Sequence, residues 1–147
     1  MKRYLLVFLS AILIAGCVTP PISTQGNSPA IAAFRYYREN AEKINHNTVV
    51  AALSYNAASI HSTRHTTWEG YAKYFNDAIS TMKRTGQVRP NYPVKINAYE
   101  IRVFRRFTEQ WVATMRWNNV KPADAKEQYP AHVAALIDRI NSYEYRK

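Results

Sequence analysis

Apolar side chains recur at helical spacing in three segments between residues 28 and 86 of this chain. The first helix is predicted to begin at Ser28 and Pro29, because serine is a good N-cap and proline suits the first helical position, and its pattern continues to Ile44. A short second helix is predicted over 47–53. The third and clearest helix carries one apolar stripe, formed by Trp68, Tyr71, Ala72, Phe75, Ile79 and Met82.

The third helix also has recognisable ends. Residues 66–69 read Thr-Thr-Trp-Glu, the form of a capping box, in which a hydroxyl and a carboxylate bond two helix-end amides. Lys83 and Arg84 lie just before Gly86, and basic side chains followed by glycine commonly end a helix. We therefore expect this helix to end near Gly86.

Other segments alternate in polarity, as β-strands do. A short strand is predicted over 57–64, and the β-branched and aromatic residues of 94–105 predict a longer one. The apolar face of this longer strand switches near Ala98 and Tyr99, which predicts a β-bulge. After a hairpin turn at 105–109, the apolar positions of a second long strand are Phe107, Trp111, Ala113, Met115 and Trp117.

The last part of the chain has weaker signals. Residues 122–128 suit a short helical turn, and a helix is predicted from Pro130. Residues 140–145 suit either the end of that helix or a terminal strand.

The order of these elements resembles that of nuclear transport factor 2-like domains, which have a cone-shaped α+β fold. The segments that carry the resemblance are 31–44, 49–53, 55–61 and 68–75. The resemblance implies N-terminal helices packed on a curved antiparallel sheet, with a pocket between them. It ends near Trp117, because the family has two further strands where this chain favours a helix. The alternative is a mainly α domain with one β-hairpin.

The start of the chain has the layout of a secretion signal. Basic residues at 1–3 precede an apolar run at 4–15, which is shorter than the roughly 20 residues that span a bilayer. The run closes on Ile14-Ala15-Gly16-Cys17, which resembles the lipobox of bacterial lipoproteins. That resemblance implies cleavage before Cys17 and its modification by diacylglycerol and a third acyl chain such as palmitate. The alternative is a signal anchor or an ordinary secretory peptide.

This interpretation divides the chain into three parts. They are a cleaved signal peptide at 1–16, a lipidated cysteine with a flexible linker at 17–27, and one globular domain at 28–147. The linker reaches about 33 Å at most, so the domain stays close to its membrane. Val18 stands where inner-membrane lipoproteins usually carry aspartate, which implies the inner leaflet of the outer membrane, facing the periplasm. The cell membrane is the alternative.

Charge and cysteine content narrow the classes of function. The chain has 20 Lys and Arg against 10 Asp and Glu, a formal charge of +10, which falls to +8 when Lys2 and Arg3 leave with the signal peptide. Cys17 is the one cysteine. Once it carries lipid, an internal disulfide, a thiolate metal site and a cysteine nucleophile are all excluded.

Catalytic chemistry finds little support in the sequence. Neither a glycine-rich phosphate loop nor a G-x-S-x-G motif is present, and His61 and His65 have no evident third metal ligand. In a cone-shaped pocket, Asp77 or Glu100 could work with His61 in acid–base chemistry. Exposed carboxylates paired with lysine and arginine are the simpler interpretation. We therefore expect no metal and no cofactor, and place an enzyme third among the functional hypotheses.

Four arginines of the predicted hairpin lie among aromatic residues: Arg102, Arg105, Arg106 and Arg116. Guanidinium groups beside aromatic rings bind anions through paired hydrogen bonds and stacking. The simpler interpretation buries the aromatics and leaves the arginines in solvent. We favour a non-catalytic interaction lipoprotein that binds an envelope protein or an anionic envelope component rather than nucleic acid. Accessory lipoproteins of secretion or conjugation machines are examples of this class. A small-ligand-binding domain is the second hypothesis.

Overall fold

The computed structural model describes residues 29–60, 62–64 and 66–145. The predicted signal peptide, Cys17 and the linker therefore lie outside the described residues, as do His61 and His65. These residues contain five α-helices, with a short 3₁₀ helix, Ala41–Lys43, after the first. They are α1 (Pro29–Glu39), α2 (His46–Ile60), α3 (Trp68–Thr85), α4 (Ala98–Trp117) and α5 (Pro122–Tyr145).

The fold of the described segments is mainly α, so the predicted α+β fold with a curved antiparallel sheet is wrong. Within these segments the extended pairing is one isolated antiparallel bridge, between Gln87 and Lys95. The mainly α alternative is confirmed in its helices but not in its β-hairpin, because most of 94–117 forms α4. The cone-shaped sheet implied by the family resemblance does not occur in this part of the chain.

Helix α4 forms because its large apolar residues recur every three or four positions. The side chains that it buries include Ile101, Phe104, Phe107, Trp111 and Met115. The alternating pattern predicted a buried Trp117, but this side chain is 82% exposed. The predicted bulge at Ala98 is instead the first turn of the helix, where Asn97 and Glu100 form a capping box. Asn97 Oδ1 accepts from the Glu100 amide at 2.9 Å, and Glu100 Oε1 accepts from the Asn97 amide at 3.3 Å.

The clearest sequence prediction, helix α3, is confirmed at both ends. Its N-cap is Thr67, whose hydroxyl accepts from the Gly70 amide at 3.1 Å, one position later than the predicted capping box would place it. At the other end Gly86 adopts a left-handed conformation with φ of 66°, and its amide donates to the Met82 carbonyl at 2.9 Å.

Helices α2 and α5 are both longer than predicted. Residues 57–60, assigned to a strand, form the last turn of α2, where Ile60 is fully buried. In α5 the predicted turn at 122–128 and the helix from Pro130 are one continuous helix. This helix continues through Tyr145, so a terminal strand at 140–145 is also wrong.

Helix α4 lies at the centre of the domain and contacts each of the other four helices. Its Trp111 is fully buried at the middle of an aromatic cluster. The Trp111 ring centroid lies 4.8 Å from that of Tyr129, 5.3 Å from that of Tyr71 and 5.8 Å from that of Phe75. These edge-on contacts join α3, α4 and α5, and they leave the opposite side of α4 facing solvent.

Candidate functional site

The four arginines predicted as a binding surface lie on one side of α4. At 100° per residue, Arg102, Arg105, Arg106 and Arg116 fall within an arc of about 100°, opposite the buried side chains of the same helix. We call these four residues the arginine face. At 1.5 Å per residue it extends about 21 Å along the helix.

The charges of the arginine face are open to solvent. Arg102, Arg106 and Arg116 are exposed, and Arg105 is half-buried. Within the described residues none of the four has a carboxylate oxygen within 4.0 Å, although Glu109 lies among them on the same side of α4. The guanidinium groups are therefore available for anions from outside the domain.

Aromatic rings support the arginine face at its N-terminal end. The Arg106 guanidinium carbon lies 4.6 Å from the ring centroid of Tyr36, and that of Arg102 lies 5.8 Å from the ring of Tyr99. Lys43 adds a further positive charge, with its Nζ 4.8 Å from the centroid of Tyr99. These contacts restrict the side chains without neutralising their charge, which reduces the entropy lost on binding.

The arginine face ends at an exposed aromatic side chain. Trp117 is 82% exposed and follows Arg116 on the last turn of α4. Helical geometry places it within about 60° of Arg102 around the helix axis, on the same side as the arginines. Exposed tryptophan and arginine are the residue types that most often dominate binding energy at protein interfaces.

The residues predicted for a catalytic pocket do not come together where the structure describes them. Asp77 lies on the exposed side of α3 and forms an ion pair with Lys73, one turn away, at 2.7 Å. Glu100 lies in the capping box at the start of α4. His61 is outside the described residues. Asp77 is therefore part of a surface ion pair, and Glu100 is part of a helix cap.

Burial changes the acidity of the capping carboxylate. The environment of Glu100 raises its pKa, chiefly through desolvation, which its hydrogen bonds to backbone amides partly offset. Its Oε2 is buried and has no hydrogen-bond partner among the described residues. The arrangement suits a structural carboxyl group that orders the junction of the 3₁₀ segment and α4, where Asn97 Nδ2 also donates to the Lys43 carbonyl at 2.9 Å.

His132 is half-buried on α5, where it contacts Gln110 of α4. Its Nε2 lies 3.2 Å from Oε1 of Gln110, and desolvation lowers the pKa of His132 to about 4. The ring is therefore neutral at physiological pH and hydrogen-bonds across the helix interface. The sequence signal for this position is its place beside the apolar Val133 and Leu136 of a helix, which indicates the boundary of a core.

Sequence reasoning missed a groove between α2 and α3. Its cavity has a volume of about 250 Å³ and is closed on one side by residues 88–90. Tyr55, Asn56 and Ser59 line it from α2, and Tyr74 and Ala78 line it from α3. The sequence signal for this groove is a run of polar and small residues at helical spacing. It was overlooked because residues 57–64 were assigned to a strand.

Comparison with known proteins returned no family, no curated protein and no solved structure that matches this chain. Among the described helices none is long and apolar enough to cross a membrane. The same residues contain no group of three or more His, Cys, Asp or Glu side chains that could hold a metal ion.

Proposed function

We propose that this protein is a lipid-anchored envelope protein whose domain binds an anionic partner without catalysing a reaction. Cys17 is its lipidation site, and the outer membrane, facing the periplasm, is its location. The lipobox-like residues 14–17 support the anchor, and the alignment of the arginine face on α4 supports the binding function.

The observation that carries the proposal is the placement of four arginines on one side of α4, none with a carboxylate partner among the described residues. Guanidinium groups bind carboxylates and phosphates in a bidentate manner, and such charge-assisted bonds are about twice as strong as neutral ones. Exposed pairs contribute only about 0.2–1 kcal/mol each, so the face gains affinity through several pairs together and through the burial of Trp117.

An acidic protein surface fits this face better than a uniform anionic membrane. Glu109 lies between Arg106 and Arg116, so one negative charge interrupts an otherwise positive face. A partner with carboxylates opposite the arginines and a gap or a cation opposite Glu109 would match this pattern. A uniformly anionic layer of phospholipid headgroups offers no group that complements Glu109.

Site-specific photo-crosslinking in living cells tests the proposal. A photoreactive amino acid replaces Trp117 in the full-length protein, and a second strain carries it at Ser80, an exposed position of α3. We expect a defined crosslinked protein at Trp117 and none at Ser80. Arg105→Gln combined with Arg106→Gln should reduce that crosslink several-fold.

A second charge pair provides the matched control. Lys83 and Arg84 are adjacent and exposed, so changing both to glutamine removes the same charge from another part of the domain. The crosslink at Trp117 should survive this change. Equal losses in the two double variants, or crosslinks to phospholipid alone, would contradict binding through the arginine face.

A further inference from the structure

The groove between α2 and α3 has the composition of a small-ligand site, separate from the arginine face. We propose that it binds a small organic anion with a flat apolar body and a hydroxyl group, of the hydroxyaryl carboxylate class. Three parts of the groove carry this inference, namely a polar wall, an apolar floor and a cation at the rim.

The polar wall is a directed chain of hydrogen bonds. The Tyr129 hydroxyl donates to Oδ1 of Asn56, and Nδ2 of Asn56 donates to the Tyr74 hydroxyl at 3.3 Å. Ser59 Oγ donates to the Asn56 carbonyl at 3.1 Å, so the 2.5 Å contact between Tyr74 and Ser59 has the tyrosine as donor. Burial raises the pKa of Tyr74, which keeps this phenol protonated.

The hydrogen bonds of the polar wall leave one donor and one acceptor available to a ligand, on Asn56 and Ser59. An amide nitrogen carries two N–H groups, and among the described residues Asn56 uses one of them, for Tyr74. Ser59 is exposed, and its oxygen retains a lone pair after it accepts from Tyr74. A ligand hydroxyl can therefore accept from the amide and donate to the serine. Asn56 itself is only 6% exposed, so its position is fixed before a ligand arrives.

The floor of the groove is apolar and is built around small side chains. Ala52 and Ala78 face the cavity from α2 and α3, and Met82 and Val88 complete the floor. Two alanines, one from each helix, leave space for a flat ring. The cavity of about 250 Å³ corresponds to about eight liquid water molecules, which suits one ring with two substituents rather than a larger cofactor.

A guanidinium group at the rim supplies the positive charge. Arg89 lines the groove, and its guanidinium carbon lies 4.8 Å from the ring centroid of Tyr55. The Tyr55 ring in turn packs edge-on against Tyr92, with centroids 4.6 Å apart. Arg89 is exposed and has no carboxylate within 4.0 Å among the described residues. A carboxylate on the ligand would complete this stack as an ion pair.

Three related probes test the assignment on the full-length protein in detergent micelles. The probes are 4-hydroxybenzoate, benzoate, which lacks the hydroxyl, and 4-hydroxybenzamide, which lacks the charge. Ligand-detected NMR titration should show saturable binding of 4-hydroxybenzoate, at least tenfold tighter than of the other two. Absence of saturable 4-hydroxybenzoate binding at millimolar concentration, or equal binding of all three probes, would overturn the proposal.

Two variants connect binding to the groove. Arg89→Gln should weaken 4-hydroxybenzoate about tenfold and leave 4-hydroxybenzamide unchanged, whereas Arg84→Gln, also exposed, should change neither. Ala78→Leu fills the floor and should abolish binding of every probe. Because Arg89 is a surface residue, its variant keeps the test decisive even if Ala78→Leu destabilises the domain. Unchanged 4-hydroxybenzoate affinity in Arg89→Gln would refute the site.

Discussion

Acidification should destabilise the domain through His132. In the folded protein its ring hydrogen-bonds Gln110 in the interface of α4 and α5, and desolvation lowers its pKa to about 4. In the unfolded chain the pKa returns to its ordinary value of about 6.5. The unfolded state therefore takes up a proton at a higher pH than the folded state. The stability that this histidine contributes is complete above pH 6.5 and is lost as the pH falls towards 4.

The size of the effect follows from the two pKa values. For a single group with these values, the linkage relation gives a loss of about 2 kcal/mol in the free energy of unfolding between pH 7.5 and pH 5. That is a large fraction of the total stability of a small domain, about 5–15 kcal/mol. Glu100 has the opposite sign, because its raised pKa favours the folded state as the pH falls.

Urea denaturation followed by circular dichroism measures this effect at the two pH values. His132→Gln removes the titrating ring and retains a side chain that can bond Gln110. The difference between pH 7.5 and pH 5 should be about 2 kcal/mol smaller in the variant than in the wild type. Glu100 titrates in both proteins, so its contribution cancels in this comparison. Equal pH dependence in the two proteins would refute the assignment of a half-buried, neutral histidine.

Four further changes test other parts of the account. Trp111→Ala should lower the free energy of unfolding by about 3–5 kcal/mol in urea denaturation, and Trp111→Phe by clearly less, because the buried Nε1 has no hydrogen-bond partner among the described residues. Asn97→Ala should cost about 1 kcal/mol by removing the capping box, and an unchanged urea midpoint would contradict that role. Gly86→Ala should cost about 1 kcal/mol from its positive φ alone, since an added Cβ meets no atom within 4 Å. Cys17→Ser should abolish metabolic labelling of the protein with radioactive palmitate, and undiminished labelling would contradict lipidation at this cysteine.

The sequence predicted helix α3 well because several independent signals agreed. The apolar stripe from Trp68 to Met82 fits one period, a threonine caps the start, and Gly86 follows the last turn. Each signal is local, so no knowledge of the remaining chain was required. The cap moved by one residue because Thr66 and Thr67 are both able to form it.

Helix α4 was predicted incorrectly because its residues satisfy two periods. Phe107, Trp111 and Met115 are separated by four positions, which suits both an alternating strand and a helix. Ala113 and Trp117 distinguish the two structures, because a strand would bury both of them beside Trp111. In this helix Ala113 is half-buried and Trp117 is exposed. That distinction depends on where α1, α3 and α5 pack, and local propensity does not contain this information.

The candidate site was predicted in its residues but not in its geometry. The four arginines were recognised from their aromatic neighbours, whereas their alignment on one side required the helix. The groove was missed because a strand over 57–64 separates Ser59 from Tyr55 and Asn56, which a helix brings together. Contacts between distant residues, such as Tyr129 with Asn56, are set by packing between helices.

The most direct test of the arginine face inserts a negative charge between its arginines. Ala113→Glu places a carboxylate on that side of α4, within one turn of Arg116, and Ala135→Glu adds the same charge on an exposed position of α5. Crosslinking from a photoreactive amino acid at position 117 is then measured in cells for both variants. We expect Ala113→Glu to reduce the crosslink several-fold and Ala135→Glu to leave it unchanged. An undiminished crosslink in a folded Ala113→Glu protein would contradict the account.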